Sequence, residues 1–184
     1  LEEAGATFQR NRQGNLVGVD FKDKHIKDQD LAPLAGLLEI KHLSLSGTQV
    51  SDRGLAHLVN LTHLESLGLN ETNIRGSGLV HLAGLSKLHS LGLGNTHLDD
   101  QALIHLEACT ALKSLRLNAT GITDAGMVHL APLTQLASLG LSDTQIGDAG
   151  LIHLAGLDHL QSLTLPSQTT DSGLIHLRNL KQLE

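Results

Sequence analysis

Residues 112–135 read LKSLRLNATGITDAGMVHLAPLTQ, and this 24-residue unit recurs along almost the whole chain. Copies open every 24 positions, at Ile40, Leu64, Leu88, Leu112, Leu136 and Leu160. Leu16 opens a more divergent copy, and Leu183 begins one that stops. A fixed period of this length indicates a solenoid, in which one small unit stacks on the next. The repeat therefore predicts a solenoid fold.

Each unit contains a strand followed by a short helical stretch. Leu115 and Leu117 alternate as the inward residues of a strand. Asp124 stands where a helix would begin, and we expect its carboxylate to be the N-cap of that helix. Apolar residues then recur at every third position, at Met127, Leu130 and Leu133. This spacing favours a short helix or 3₁₀ segment that packs one apolar stripe on the strand layer.

The unit resembles the leucine-rich repeat family over residues 16–184, and its form LxxLxLxxTxIxDxGLxHLxxL is similar to repeats of bacterial members. The resemblance implies an α/β solenoid with a curved parallel sheet on the concave side and short helices or 3₁₀ segments on the convex side. We expect one domain, 1–184, with a capping segment at 1–15, seven repeats over 16–182 and the start of an eighth at 183–184. Eukaryotic F-box substrate receptors have similar repeats, but they usually carry Cys where this chain has Thr, and no F-box segment is present.

The N-terminal end reads as a cap. Residues 6–10 and 16–21 form two strand-like stretches around a turn that contains Gly14, which is typical of a hairpin. Phe8 and Phe21 are the only aromatic residues of the chain, and both lie here. We expect them to close the open end of the core.

Three further residue types recur once per repeat. Threonines occupy a turn position where a buried hydroxyl can bond to loop backbone, at Thr48, Thr72, Thr96, Thr120 and Thr144. Aspartates form the expected capping series, at Asp28, Asp52, Asp100, Asp124, Asp148 and Asp171, interrupted by Gly76. Glycines follow two residues after most aspartates, where they would give the chain room to turn into the helix.

A histidine series raises the possibility of a metal site. The rings recur once per repeat at His57, His81, His105, His129, His153 and His176. Stacked imidazoles could bind zinc, but no Cys or carboxylate accompanies each His in the motif. We expect the rings to donate to backbone carbonyls instead, and we predict no metal site and no cofactor. Cys109 replaces a core leucine and is expected to act as a small apolar residue.

Several function classes are disfavoured. The formal net charge is −6, whereas nucleic-acid binding needs a basic stripe, and no apolar run is long enough to insert into a membrane. Ser114, Asp124 and His129 could suggest a hydrolase, but Ser114 belongs to the sheet face and His129 to the helical side, which a layer of side chains separates. We therefore predict that the chain is not an enzyme.

The concave sheet face is the usual binding surface of such a solenoid. Its outward positions carry mostly Ser and Gly, and Trp and Tyr are absent from the chain. Polar contacts on this face would come from Arg116, Asn70, Asn95, Asn118, Glu71 and Asp143. Two functions remain open: a non-catalytic interaction or scaffold module of a larger bacterial protein that binds a protein or peptide, and a structural spacer without a specific ligand.

The C-terminal end shows no segment comparable to the N-terminal hairpin. Repeat seven is irregular, with Pro166 in its turn and one residue deleted before Asp171. We expect the natural protein to continue past Glu184, and we expect this end to expose a patch of leucines, Leu163, Leu165, Leu174, Leu177 and Leu180. Exposed strand edges and apolar patches favour association, so the chain is predicted to form an end-to-end homodimer through its C-terminal repeat.

Overall fold

The computed structural model describes residues 1–184. One eight-stranded sheet runs in sequence order, through β1 Thr7–Arg10, β2 Leu16–Asp20, β3 His42–Ser44, β4 Ser66–Gly68, β5 Ser90–Gly92, β6 Ser114–Arg116, β7 Ser138–Gly140 and β8 Ser162–Thr164. The β1–β2 pair is antiparallel, and every later pair is parallel. The predicted leucine-rich repeat solenoid is confirmed.

Short helical segments follow each of the parallel strands. Seven of them are 3₁₀ helices, Asp28–Gly36, Asp52–Leu58, Ser77–Leu82, Asp100–Leu106, Asp124–Leu130, Gly150–Leu154 and Ile175–Leu177. The eighth is a single α-helical turn, Asp171–Leu174. A continuous apolar core lies between the sheet and these helices, and Leu115, Leu117 and Met127 are completely buried within it. The three-residue apolar spacing thus produces the 3₁₀ geometry that it predicts, because side chains three residues apart eclipse in that helix.

Cys109 is a buried free thiol within this core. Burial penalises the thiolate and raises the pKa of Cys109 to about 11. The residue therefore stays protonated at neutral pH and packs as an apolar side chain, as its position in the repeat predicts.

The N-terminal hairpin forms as predicted. Strands β1 and β2 pair in antiparallel register with Phe8 opposite Val19, and Gly14 has a φ of +84° in the connecting turn. Phe21 is completely buried, and Phe8 is half-buried against the core. The hairpin therefore covers the end of the core that the first parallel strand would otherwise expose.

The prediction of an exposed C-terminal leucine patch is wrong in part. Leu177 and Leu180 are 6% and 5% exposed, because the last helical segments pack against Gly150–Leu154. Leu163 and Leu165 are half-buried. Leu174 is the remaining member, and 44% of its surface is exposed. The predicted homodimer thus has a smaller apolar patch available than the sequence suggests, and it stays a prediction.

The aspartate series caps neighbouring repeats, which corrects the expectation for Asp124. The N-cap of the helix Asp124–Leu130 is Thr123, whose hydroxyl accepts a hydrogen bond from the Ala125 N–H. The Asp124 carboxylate instead accepts from the N–H groups of Gly147 and Gly150 in the next repeat, at 2.7 and 2.9 Å. Asp124 is the first helical residue, and its side chain points along the solenoid axis rather than back onto its own turn.

The same forward contact recurs along the chain. Asp52 accepts from three N–H groups of the following repeat, those of Arg75, Gly76 and Gly78. Asp100 accepts from both the N–H and the hydroxyl of Thr123, each at 2.8 Å. Each of these carboxylates therefore satisfies backbone donors that its neighbour leaves open at a helix start, and adjacent repeats are joined by charge-assisted hydrogen bonds.

The glycine that follows each aspartate makes room for this contact. A Cβ at Gly150 would lie 2.6 Å from the Asp124 Oδ1, and one at Gly54 would lie 2.7 Å from the Asp28 Oδ1. These distances are shorter than real Cβ contacts. The glycine therefore leaves space for the aspartate of the preceding repeat, and also for an apolar side chain of its own repeat, such as Ile146 at 2.9 Å from a Cβ at Gly150.

The one break in the aspartate series confirms this dependence. Gly76 replaces the aspartate, and Ala102 replaces the glycine that would face it in the next repeat. Asp99 then caps its own helix by accepting from the Ala102 N–H at 3.3 Å. Where the carboxylate of the preceding repeat is missing, alanine takes the place of the glycine.

The threonine series is buried and bonds within its own turn. Each hydroxyl donates to the carbonyl of the leucine three residues earlier, as in Thr120 to Leu117 at 2.7 Å. All five threonines make this bond. The predicted bond to loop backbone within the repeat is therefore confirmed, since a buried hydroxyl needs a partner.

Acid should destabilise the protein partly through Asp148. The hydroxyl and the N–H of Thr170 donate to its carboxylate and hold the pKa of Asp148 below its ordinary value. A lowered folded-state pKa means that this stabilisation is complete above the unfolded-state pKa and is lost as the pH falls through the folded-state pKa. We expect Asp148→Asn to lose less stability than the wild type between roughly pH 5 and pH 2, measured by urea midpoints. Asp158→Asn is the control, because Asp158 is exposed and its side chain makes no hydrogen bond; it should keep the wild-type pH dependence.

Candidate interaction surface

The concave face consists of three columns of side chains that follow from the strand register. Each parallel pair is offset by 24 residues, so Ser66 lies beside Ser90 and Gly68 beside Gly92. The first column contains His42, Ser66, Ser90, Ser114, Ser138 and Ser162. The second contains Ser44, Gly68, Gly92, Arg116, Gly140 and Thr164. The third, one step beyond the strands, contains Ser46, Asn70, Gly94, Asn118, Ser142 and Pro166. The face is therefore a shallow polar surface of mostly small side chains.

Asn70 and Asn118 lie flat across this face and bridge repeats. The Asn70 Oδ1 accepts from the Gly94 N–H at 2.9 Å, and its Nδ2 donates to the Ser46 hydroxyl at 3.4 Å. The Asn118 Nδ2 donates to the Ser142 hydroxyl. Side chains at Gly92 and Gly140 would collide with these two amides. Both asparagines thus stabilise the stack, and they leave part of each amide facing the concave side.

Glu71, Asn95 and Asp143 lie in the turn that follows the third column. Their φ angles are +58°, +56° and +58°, in the left-handed region, and their side chains are exposed. The backbone N–H of Glu71 donates to the Gly94 carbonyl, and that of Asn95 donates to the Asn118 carbonyl. The three side chains therefore project from a fixed backbone at the edge of the concave face.

Ala119 shares this left-handed turn position, with a φ of +54°. Because an L-residue with a Cβ is strained there and glycine is not, we expect Ala119→Gly to leave the free energy of unfolding unchanged or to raise it by up to ~1 kcal/mol. Ala131→Gly is the matched control, since Ala131 is also exposed but has an ordinary helical φ of −56°. The control should lower stability by ~0.5–1 kcal/mol, and equal losses in both variants would contradict the strain. Urea unfolding followed by circular dichroism measures both.

Arg116 is the one fully charged side chain in the three columns. It is exposed, and it forms no ion pair and no hydrogen bond. A groove of about 490 Å³ brings it together with Asn70, Glu71, Asn95 and Asn118. The structure thus assembles five of the six predicted contact residues, whereas Asp143 lies outside this groove.

Comparison with known proteins agrees with this architecture. A family model described as leucine-rich repeat matches residues 108–131 and 134–155. Internalin C2 from Listeria monocytogenes is similar at 31% identity and a TM-score of 0.78, over 92% of this chain and 69% of that protein. This chain belongs to the leucine-rich repeat family. The likeness to internalins places it among bacterial leucine-rich repeat proteins.

Other comparisons are weaker. Internalin F from Listeria monocytogenes is 26% identical with a TM-score of 0.69, and the match covers 91% of this chain and 52% of that protein. A plant peptide hormone receptor, RGFR1 in complex with RGF2, is 16% identical with a TM-score of 0.57. The match covers 96% of this chain and 35% of that protein, and it shows the fold alone. Comparison with curated protein sequences finds no match.

The histidine series of the leucine-rich repeats lies on the helical side and corrects one expectation. The six rings are half-buried, but none of them donates to a backbone carbonyl. His129 instead bonds through its Nδ1 to the Glu107 Oε1 at 2.6 Å. No three His, Cys, Asp or Glu side chains converge on one point. His129 also makes no contact with Ser114, so the residues of the hypothetical hydrolase remain apart.

The convex side carries a row of exposed apolar side chains that the sequence analysis does not predict. One β-branched residue precedes each histidine of the last five repeats, at Val80, Ile104, Val128, Ile152 and Ile175. These residues are between 46% and 57% exposed. The repeat itself contains the pattern that indicates this row, because the residue before His is apolar in every repeat from Val80 onward. None of the helices beneath this row has the length and apolar character needed to cross a bilayer.

Proposed function

We propose that this chain is a non-catalytic protein-interaction module, one segment of a larger bacterial protein, that binds an extended segment of a protein partner on its concave face. The observation that carries the proposal is the open concave sheet itself. The small side chains of Ser66, Ser90 and Ser114 let a partner backbone approach, and Arg116 stands unpaired among them. The complex of the plant receptor RGFR1 with RGF2 shows that a protein of this fold can bind a peptide.

The predicted contact residues enter this proposal with different roles. Arg116 supplies charge, while Asn70 and Asn118 supply amide groups that the repeat stack already orients. Glu71 and Asn95 border the groove from the turn side. Asp143 would meet only a partner that extends beyond the groove. We propose no catalytic step: His42 lies beside Ser66 in the first column, but no hydrogen bond joins its imidazole to a serine hydroxyl, as a nucleophile and its general base would require.

A structural spacer without a ligand is the second candidate. It is favoured by the absence of Trp and Tyr, which are the residues that most often anchor tight interfaces. A spacer would need only the inter-repeat bonds, such as those of Asp52 and Asp124, to hold its shape. The F-box type of substrate receptor gains no support from the structure.

A random twelve-residue peptide library, selected on the immobilised protein, separates the two candidates. An interaction module should enrich a family of peptides, and Ser114→Trp should abolish their binding because the indole would cover the middle of the concave face. Gln101→Trp, on an exposed helical position, is the matched control and should bind as the wild type does. Failure to enrich any peptide would favour the spacer.

A further inference from the structure

Arg116 is the one Asp, Glu, Lys or Arg residue in the middle of the concave columns. Other charged side chains lie at the margins of this face, at Asp20 in β2 and at Lys22 and Glu71 in the groove that Arg116 also lines. The three concave columns from His42 to Pro166 contain no other Asp, Glu, Lys or Arg. The whole chain has a formal charge of −6, so an isolated cation here is not part of a general basic surface. Its guanidinium has five N–H donors and meets none of its own carboxylates within ion-pair distance.

A small depression adjoins this guanidinium. Its volume is about 130 Å³, and the residues that line it include Gly68, Gly92, Asn70 and Arg116. The second column carries glycine at two successive repeats, and the Asn70 amide lies against the second of them, Gly92. The hydroxyls of Ser66, Ser90 and Ser114, which line the same depression, form no hydrogen bond in the structure and can donate to an acceptor.

We infer that the partner of the concave face presents an aspartate or glutamate side chain to Arg116, with its carboxylate in this depression. This inference rests on the proposed interaction function. The guanidinium fork matches a carboxylate in a bidentate manner, and the serine hydroxyls add O–H···O⁻ bonds.

The charge pattern selects a single carboxylate over a polyanion. Nucleic acid is held by many cations along a stripe, whereas the concave columns offer one. The net negative charge of the rest of the chain would repel a partner with many negative charges. The partner should therefore be an otherwise neutral segment that carries one acidic residue opposite Arg116.

The experiment repeats the peptide selection on three proteins: the wild type, Arg116→Gln and Arg116→Glu. Peptides fused at their C-terminus to the phage coat protein offer only side-chain carboxylates. We expect the wild type to enrich peptides with Asp or Glu at one fixed position, and Arg116→Glu to enrich Lys or Arg at that position. A synthetic, C-terminally amidated form of the best peptide should bind Arg116→Gln at least about tenfold more weakly than the wild type.

Arg53→Gln is the control for loss of a positive charge, because Arg53 is exposed on the helix Asp52–Leu58. It should change the affinity less than about twofold. Peptides without a fixed acidic residue, or equal affinity for Arg116→Gln, would overturn the inference while leaving the proposed function intact if Ser114→Trp still abolishes binding. Binding that survives Ser114→Trp, or no enrichment on the wild type, would overturn both.

Discussion

Leu115→Ala is expected to lower the free energy of unfolding by ~2–5 kcal/mol. Leu115 is completely buried in the central strand β6, and its neighbours in the sheet are Leu91 and Leu139. Truncation would leave a cavity that these leucines cannot fill without breaking the sheet register. Urea unfolding followed by far-ultraviolet circular dichroism measures the loss, since the chain has no tryptophan to report it.

Ser114→Ala, one residue earlier, is the control for this prediction. Ser114 lies on the opposite face of the same strand, and its hydroxyl makes no hydrogen bond. Its removal should change stability by less than ~0.5 kcal/mol. Similar losses in the two variants would show that the assignment of inward and outward faces is wrong.

Gly126→Ala should cost ~1–3 kcal/mol by overpacking, because its Cβ would collide with the Asp100 carboxylate of the preceding repeat. Asp100→Gly should cost a similar amount, since it removes the bonds that Asp100 accepts from Thr123. The double variant recreates the natural pairing of Gly76 with Ala102. We therefore expect it to lose ~1–2 kcal/mol less than the sum of the single losses.

Gly84→Ala is the control for this cycle. No atom lies within 4 Å of the position that a Cβ would take at Gly84, so the variant should be neutral or more stable by up to ~1 kcal/mol. Additive losses for Gly126→Ala and Asp100→Gly would mean that the two residues do not interact, and the forward capping contact would have to be abandoned.

The fold could be predicted because its determinants are local and periodic. A strand residue such as Leu115 must face the core in every copy, and the 24-residue spacing places each copy in register with the next. The hairpin was predictable for the same reason, since Gly14 and the two short strands form one continuous segment.

Contacts between repeats were harder to predict from one sequence. The position of Asp124 at a helix start is compatible with capping its own helix or the next one, and spacing alone does not give the direction of its side chain. The histidines pose the same problem: their position in the repeat predicts a bond to backbone, but His129 bonds to Glu107, 22 residues earlier. At the C-terminal end, Leu177 and Leu180 are buried because the last turn packs back on its neighbour.

The composition of the concave face could be predicted in part from the sequence. Once the columns were known, the isolation of Arg116 followed from the identities of its neighbours. The sequence did not reveal that Asn70 and Asn118 are held over glycines of the next repeat. That arrangement depends on side-chain conformations across two strands, and it determines which amide groups a partner can reach.

Forward capping also bears on how such arrays can grow or shrink by recombination of their genes. The pair that must be inherited together is the aspartate of one repeat and the glycine of the next, because the first supplies the carboxylate and the second leaves space for it. Excision of residues 101–124 would bring Gly150 to the position that now faces Asp100 from the next repeat. The aspartate would still meet a glycine. Excision of residues 76–99 would have the same length but would set Ala102 against Asp52. Two deletions of identical size would therefore leave proteins of different stability.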